Sequence, residues 1–186
     1  DAQESRGLGD VYKRQTRDQA TRDLRFPHAE FRRGQRPLAE SVYKAVSTGR
    51  CLLAQAPTGI GKTLGTIFPM LKAMAAQQLD TLLFLTAKTP GRQLALDAAR
   101  VLFSGVPGLA LRVLELVARD KACEHLDKAC HGESCPLAKG FYDRLPAARQ
   151  AASQVPLLDR QALREVALEH QVCPCLLYTS PSPRDS

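Results

Sequence analysis

The 186 residues carry 26 Lys and Arg against 19 Asp and Glu, a net charge of +7 and a pI near 9.3. That surplus suits an anionic partner, nucleotide or nucleic acid, and gives no support to an acidic or membrane-embedded class. No apolar run approaches the length of a membrane span and no signal peptide is visible, so one cytoplasmic domain with a modest insertion is expected.

The two ends stand apart from the rest. Ser5 to Gln15 and Cys175 to Asp185 each read as a translation of one strand of a transposase sequencing adapter. Residues 1–15 and 175–186 are therefore expected to be non-native tails, and Thr16 to Pro174 a piece of a longer gene. Each tail sums to zero charge, so the basic surplus belongs to the middle.

Arg22 to Gly34 is polar and turn-rich. Pro37 to Val46 predicts a helix, with Pro37 in its first turn and Leu38, Val42 and Val46 on the core side. Cys51 to Ala54 predicts a short buried strand, with Cys51 as a small core residue.

Ala56-Pro57-Thr58-Gly59-Ile60-Gly61-Lys62-Thr63 then has the spacing of a phosphate-binding loop. Glycines let the backbone wrap so that several N–H groups meet phosphate oxygens. Lys62 can reach the β- and γ-phosphates, and the Thr63 hydroxyl can ligate Mg²⁺. Leu64 to Ala76 predicts the following helix, whose N-terminus adds dipole attraction for phosphate. Ile67, Phe68, Met70, Leu71 and Met74 form its apolar side, and Pro69 is expected to kink or shorten it.

Thr81 to Thr86 predicts a second strand, nearly all apolar as a parallel sheet requires. A helix over about Arg92 to Phe103 and a strand over Leu109 to Leu116 follow. Strand–helix alternation makes the fold class α/β, a parallel sheet flanked by helices.

After Val117 the periodicity fails. Arg119 to Lys139 is rich in Cys, His, Lys and Glu and cannot build a core alone. Ala147 to Glu169 predicts helix again. Cys123, Cys130, Cys135 and Cys173 remain once Cys51 and Cys175 are set aside. Disulfides do not suit a cytosolic ATPase, so a metal site is expected. Four thiolates can hold one [4Fe–4S] cluster or one Zn²⁺, and His125 and His131 are substitute zinc ligands.

These elements together resemble the iron–sulfur superfamily 2 DNA helicases of the XPD/DinG-like kind. Arg33-Gly34-Gln35 looks like the glutamine motif, Gln55 to Thr63 like motif I, and Phe84 to Thr89 like motif Ia. Lys121 to Cys130 and Gly132 to Pro136 look like that family's cluster insertion. The resemblance implies a RecA-like domain over residues 16–117 and an incomplete, mostly helical iron–sulfur insertion over 118–174. It implies an ATP-dependent 5′→3′ helicase, monomeric, acting on single-stranded and forked DNA in a repair role. Gln35 would contact adenine, Thr86 and Lys88 would lie near DNA, and Cys123, Cys130, Cys135 and Cys173 would hold a [4Fe–4S] cluster.

Two departures matter. No Asp-Glu pair occurs anywhere, so the motif II carboxylates that hold Mg²⁺ and orient water are missing. The second motor domain is missing too, so this chain is expected not to turn ATP over. The competing readings are a P-loop kinase or GTPase, or a DNA-binding module, with a zinc-stabilised insertion.

Overall fold

A computed structural model describes residues 2–106 and 111–179, with side chains from residue 11 onward and not at 179. The chain divides into two compact units, Asp1–Leu111 and Arg112–Ser186.

The first unit contains helices α1 (Ala2–Asp23), α2 (Gln35–Ser47), α3 (Lys62–Met74) and α4 (Thr89–Ser104). α1 covers the segment read as an adapter tail and continues into Thr16 and beyond. Pro37 sits in the first turn of α2, where a missing N–H costs nothing, and Gln35, Ala39 and Val42 are buried. Thr48 closes α2: its N–H and its hydroxyl both donate to Lys44 O, at 3.0 and 2.8 Å. α3 runs through Pro69 to Met74, so the proline does not end the helix. It is tolerated on a buried face, where packing offsets one lost backbone donor. Ile67, Leu71 and Met74 from α3 meet Leu24 and, from α4, Ala98 and Leu102, which makes the core of this unit.

The strands expected at Cys51–Ala54 and Thr81–Thr86 are not formed. Both stretches lack assigned secondary structure, and among the described residues they make no backbone–backbone hydrogen bonds. Leu53, Leu83 and Leu85 are largely exposed, and Cys51 is exposed rather than buried. The physical reason is that a parallel strand needs neighbours on both edges and cover on both faces. The other predicted strand, Leu109 to Leu116, is reduced to β1 (Val113–Leu114); residues 107–110 lie outside the described ones.

In the second unit β1 pairs in parallel with β2 (Leu157–Leu158), Val113 opposite Leu157 and Leu114 opposite Leu158. Helices α5 (Arg119–Ala122), α6 (Phe141–Ser153), α7 (Arg160–Glu169) and α8 (Pro174–Thr179) complete it. The single helix expected over Ala147–Glu169 is therefore split, because Pro156 disfavours helix in the residue before it and Gln154 to Asp159 turns into β2. Asp159 starts α7 afresh, its carboxylate accepting from Ala162 N–H at 3.0 Å. Phe141, Leu145, Ala148, Ala167, Val172, Cys173 and Cys175 form the core of this unit. No helix among the described residues is long and apolar enough to cross a membrane.

Candidate nucleotide site and cysteine cluster

Thr58, Gly59 and Ile60 form a turn leading into α3, which begins at Lys62. Gly61 caps that helix with φ +79°, a left-handed conformation that L side chains rarely adopt. A Cβ there would collide with the Gln35 amide nitrogen. Lys62 Nζ donates to Ala56 O at 3.2 Å and to Pro57 O at 2.8 Å, so its ammonium lies folded over the loop. Thr63 is half-buried in the first turn of α3, where its carbonyl accepts from the Thr66 hydroxyl at 3.0 Å. Pro57, Thr58 and Gly59 are exposed, while Ala56 and Ile60 are half-buried.

Gln35 is brought to this loop. Its side chain is buried and donates from Nε2 to Gly61 O at 3.0 Å, while its Oε1 accepts from Arg32 N–H at 3.1 Å. Arg32 reaches the same loop, its Nη1 donating to Gly59 O at 2.9 Å. Sequence reasoning did not single out Arg32; its place three residues before Gln35, one turn away, was the available signal.

Thr86 and Lys88 lie in an exposed turn just before α4, where the Thr86 hydroxyl approaches Lys88 O at 3.4 Å. Gly91 packs so closely on Thr86 that a Cβ at Gly91 would strike its hydroxyl.

In the second unit no disulfide joins the described cysteines. Cys173 and Cys175 place their Sγ atoms 3.1 Å apart in the core. Burial first, then the Cys173 contact, pushes the Cys175 thiol up to about 12, with smaller contributions from Cys123 and Cys130. Arg119 is exposed, and its proximity to Cys130 first, and to Cys175, raises its pKa. Three of the four expected ligands, Cys123, Cys130 and Cys173, thus share a neighbourhood with Cys175. Cys135 is buried in the turn after His131, its N–H donating to His131 O at 2.9 Å.

Two arginines brace this region. Arg164 grips Glu124 through two bonds, of 2.6 and 2.9 Å, which holds the Glu124 carboxyl below its ordinary pKa. Arg144 donates to Gln171 O, just before Cys173, and to Lys139 O, just after the Cys135 turn. Soft thiols beside a cation suit thiolate ligation of iron or zinc. Among the described residues, however, no group of three or more Cys, His, Asp or Glu stands in metal-holding geometry. The donor chemistry fits such a group; the ligand positions are not preassembled.

A glycine-rich turn opening a helix, with its lysine and threonine in the first turn, defines a P-loop nucleotide-binding domain. The sequence profile of the DEAD/DEAH box helicases matches residues 36–157, and the chain belongs to that family. Membership implies the RecA-like α/β fold and ATP with Mg²⁺. A protein described as a probable ATP-dependent helicase of Methanocaldococcus jannaschii is 38% identical over 47 residues, which are 25% of this chain and 7% of that relative. The chain thus matches only a small share of that curated relative's length. No solved structure matches.

Proposed function

We propose that the chain is the ATP-site portion of an ATP-dependent DNA helicase of the iron–sulfur kind, with 5′→3′ polarity. The observation that carries the reading is the loop Ala56 to Thr63 at the start of α3, tied to Gln35 through Gly61. In this reading Lys62 and Thr63 take the phosphates and Mg²⁺, Gln35 serves adenine selection, and the exposed Thr86 and Lys88 meet the DNA backbone. The natural domain runs over residues 16–117, the insertion over 118–174, and the two tails are not native.

Cys123, Cys130, Cys135 and Cys173 would hold a [4Fe–4S] cluster, whose part is to brace the insertion. Among the described residues the four thiols do not stand in metal-holding geometry, so this reading requires the segment to rearrange when the cluster forms. Coupled folding of this sort is usual for small metal-bound segments. The chain has no Asp-Glu pair, so on its own it is expected to bind ATP without hydrolysing it.

Equilibrium binding of a fluorescent ATP analogue tests the nucleotide site. Binding that disappears in Lys62→Ala supports it, and equal binding by both chains rejects it. Anaerobic purification tests the insertion. A brown protein absorbing near ~400 nm, bleached by Cys123→Ser, supports the cluster. A colourless protein with one zinc per chain rejects it in favour of a zinc-stabilised insertion.

A further inference from the structure

The structure assigns Arg32 a role in the nucleotide site: we infer that it is a positioning residue that sets the phosphate-binding amides of the loop through the Gly59 carbonyl. The inference rests on the phosphate-loop reading above and adds a residue to it.

Arg32 and Gln35 lie on one turn. Gln35 N–H donates to Arg32 O at 2.9 Å, and Arg32 N–H donates back to Gln35 Oε1 at 3.1 Å. From that turn two side chains reach alternate glycines of the loop: Arg32 Nη1 to Gly59 O at 2.9 Å and Gln35 Nε2 to Gly61 O at 3.0 Å. The described backbone has no cis peptide bond. In a planar trans peptide the carbonyl of one residue and the N–H of the next point opposite ways. Fixing Gly59 O toward Arg32 therefore turns the Ile60 N–H away from it. Fixing Gly61 O toward Gln35 does the same for the Lys62 N–H. These are loop amides of the sort that cradle phosphate oxygens.

Left to itself, Gly59 has the most freedom of any loop residue. It is exposed, its φ is +91°, and nothing lies within contact range of where its Cβ would be. The Arg32 bond is what removes that freedom. An ordered amide loses less entropy when phosphate binds, so affinity rises without any contact between Arg32 and the ligand. Because the effect works through the phosphates, it is indifferent to the base.

The test uses the whole chain, its Arg32→Ala and Arg32→Lys variants, and two probes: a fluorescent ATP analogue and inorganic tripolyphosphate as competitor. Arg32→Ala is expected to weaken both by the same factor, about fivefold, the scale of one exposed charge-assisted bond. Arg32→Lys, which keeps a cationic donor, should restore most of the loss. In ligand-free ¹⁵N spectra the Ile60 amide should move in Arg32→Ala and return toward its place in Arg32→Lys. The melting temperature should stay put, because Arg32 is exposed.

Unchanged affinity in Arg32→Ala would overturn the inference. So would a loss confined to ATP with tripolyphosphate intact, which would make Arg32 a reader of the base. A shared loss with the Ile60 amide unmoved would make it a direct phosphate ligand and also overturns the positioning role. If the unsubstituted chain binds neither probe, the phosphate-loop reading itself fails, an outcome distinct from all of these.

Discussion

Gln35 Nε2 donates to Gly61 O at 3.0 Å at the very point where a side chain on Gly61 would collide with that same nitrogen. The contact makes two residues 26 positions apart a single unit. Gln35 closes over the loop only because the loop residue is glycine.

Gly61→Ala should therefore fail on two counts. Its φ of +79° strains an alanine by about 1 kcal/mol, and the added methyl displaces Gln35. Fluorescent ATP titration should show binding reduced by roughly tenfold or more, with a lower melting temperature. Unaltered affinity in a folded Gly61→Ala chain would contradict the geometry.

Lys62→Ala should lose ATP binding, again by roughly tenfold or more, since the ammonium is the loop's only full positive charge. Folding should be untouched, because among the described residues Lys62 is itself exposed and bonds only the loop carbonyls of Ala56 and Pro57. Phosphate release from ATP should stay at background in both chains. A measurable ATPase rate that Lys62→Ala abolishes would refute the expectation of a non-hydrolysing chain.

Leu102→Ala tests the core of the first unit. Leu102 is fully buried among Leu71, Met74 and Leu24, so truncation should cost about 2–5 kcal/mol. Urea denaturation measures it. A loss below about 1 kcal/mol would mean that this cluster is not a packed core.

The link between Arg17 and Asp80 should be visible in the acid limb of stability. Arg17 Nη1 bonds Asp80 Oδ1 at 2.8 Å, and this bond above all holds the Asp80 carboxyl below its ordinary pKa. A depressed folded pKa means stability present above the ordinary carboxylate value and lost as pH falls through the folded one. Melting curves of the unsubstituted chain and Asp80→Asn should therefore differ at neutral pH and converge as the pH falls below the ordinary carboxylate range. A gap that stays constant with pH would show that the ion pair is not its source.

The sequence was most readable where structure is local. Leu38, Val42 and Val46 recur every fourth residue, and α2 forms there with Val42 buried. The phosphate loop and its helix are consecutive, so spacing alone located them. Pairings between distant segments were harder to see. Cys51–Ala54 and Thr81–Thr86 have the composition of parallel strands, but composition does not supply the neighbouring strands that such a sheet needs. Pro156 lies inside a stretch whose composition suits a helix, and its effect on the preceding residue makes the break that β2 occupies. The contact between Arg32 and Gly59 spans 27 residues and has no local signature. Likewise the approach of Cys173 to Cys175 depends on how α8 packs in its core, and no spacing rule weighs burial.

The leucines of the two unpaired stretches have a practical consequence at the bench. Leu53, Leu83 and Leu85 stand exposed beside open backbone, which is the template that strands of other molecules pair with. Concentration therefore becomes an experimental variable for this chain. Dilute samples should report the properties of the nucleotide loop, while concentrated ones should report adhesion between copies. Titrations of ATP belong at the lowest protein level that the fluorophore permits.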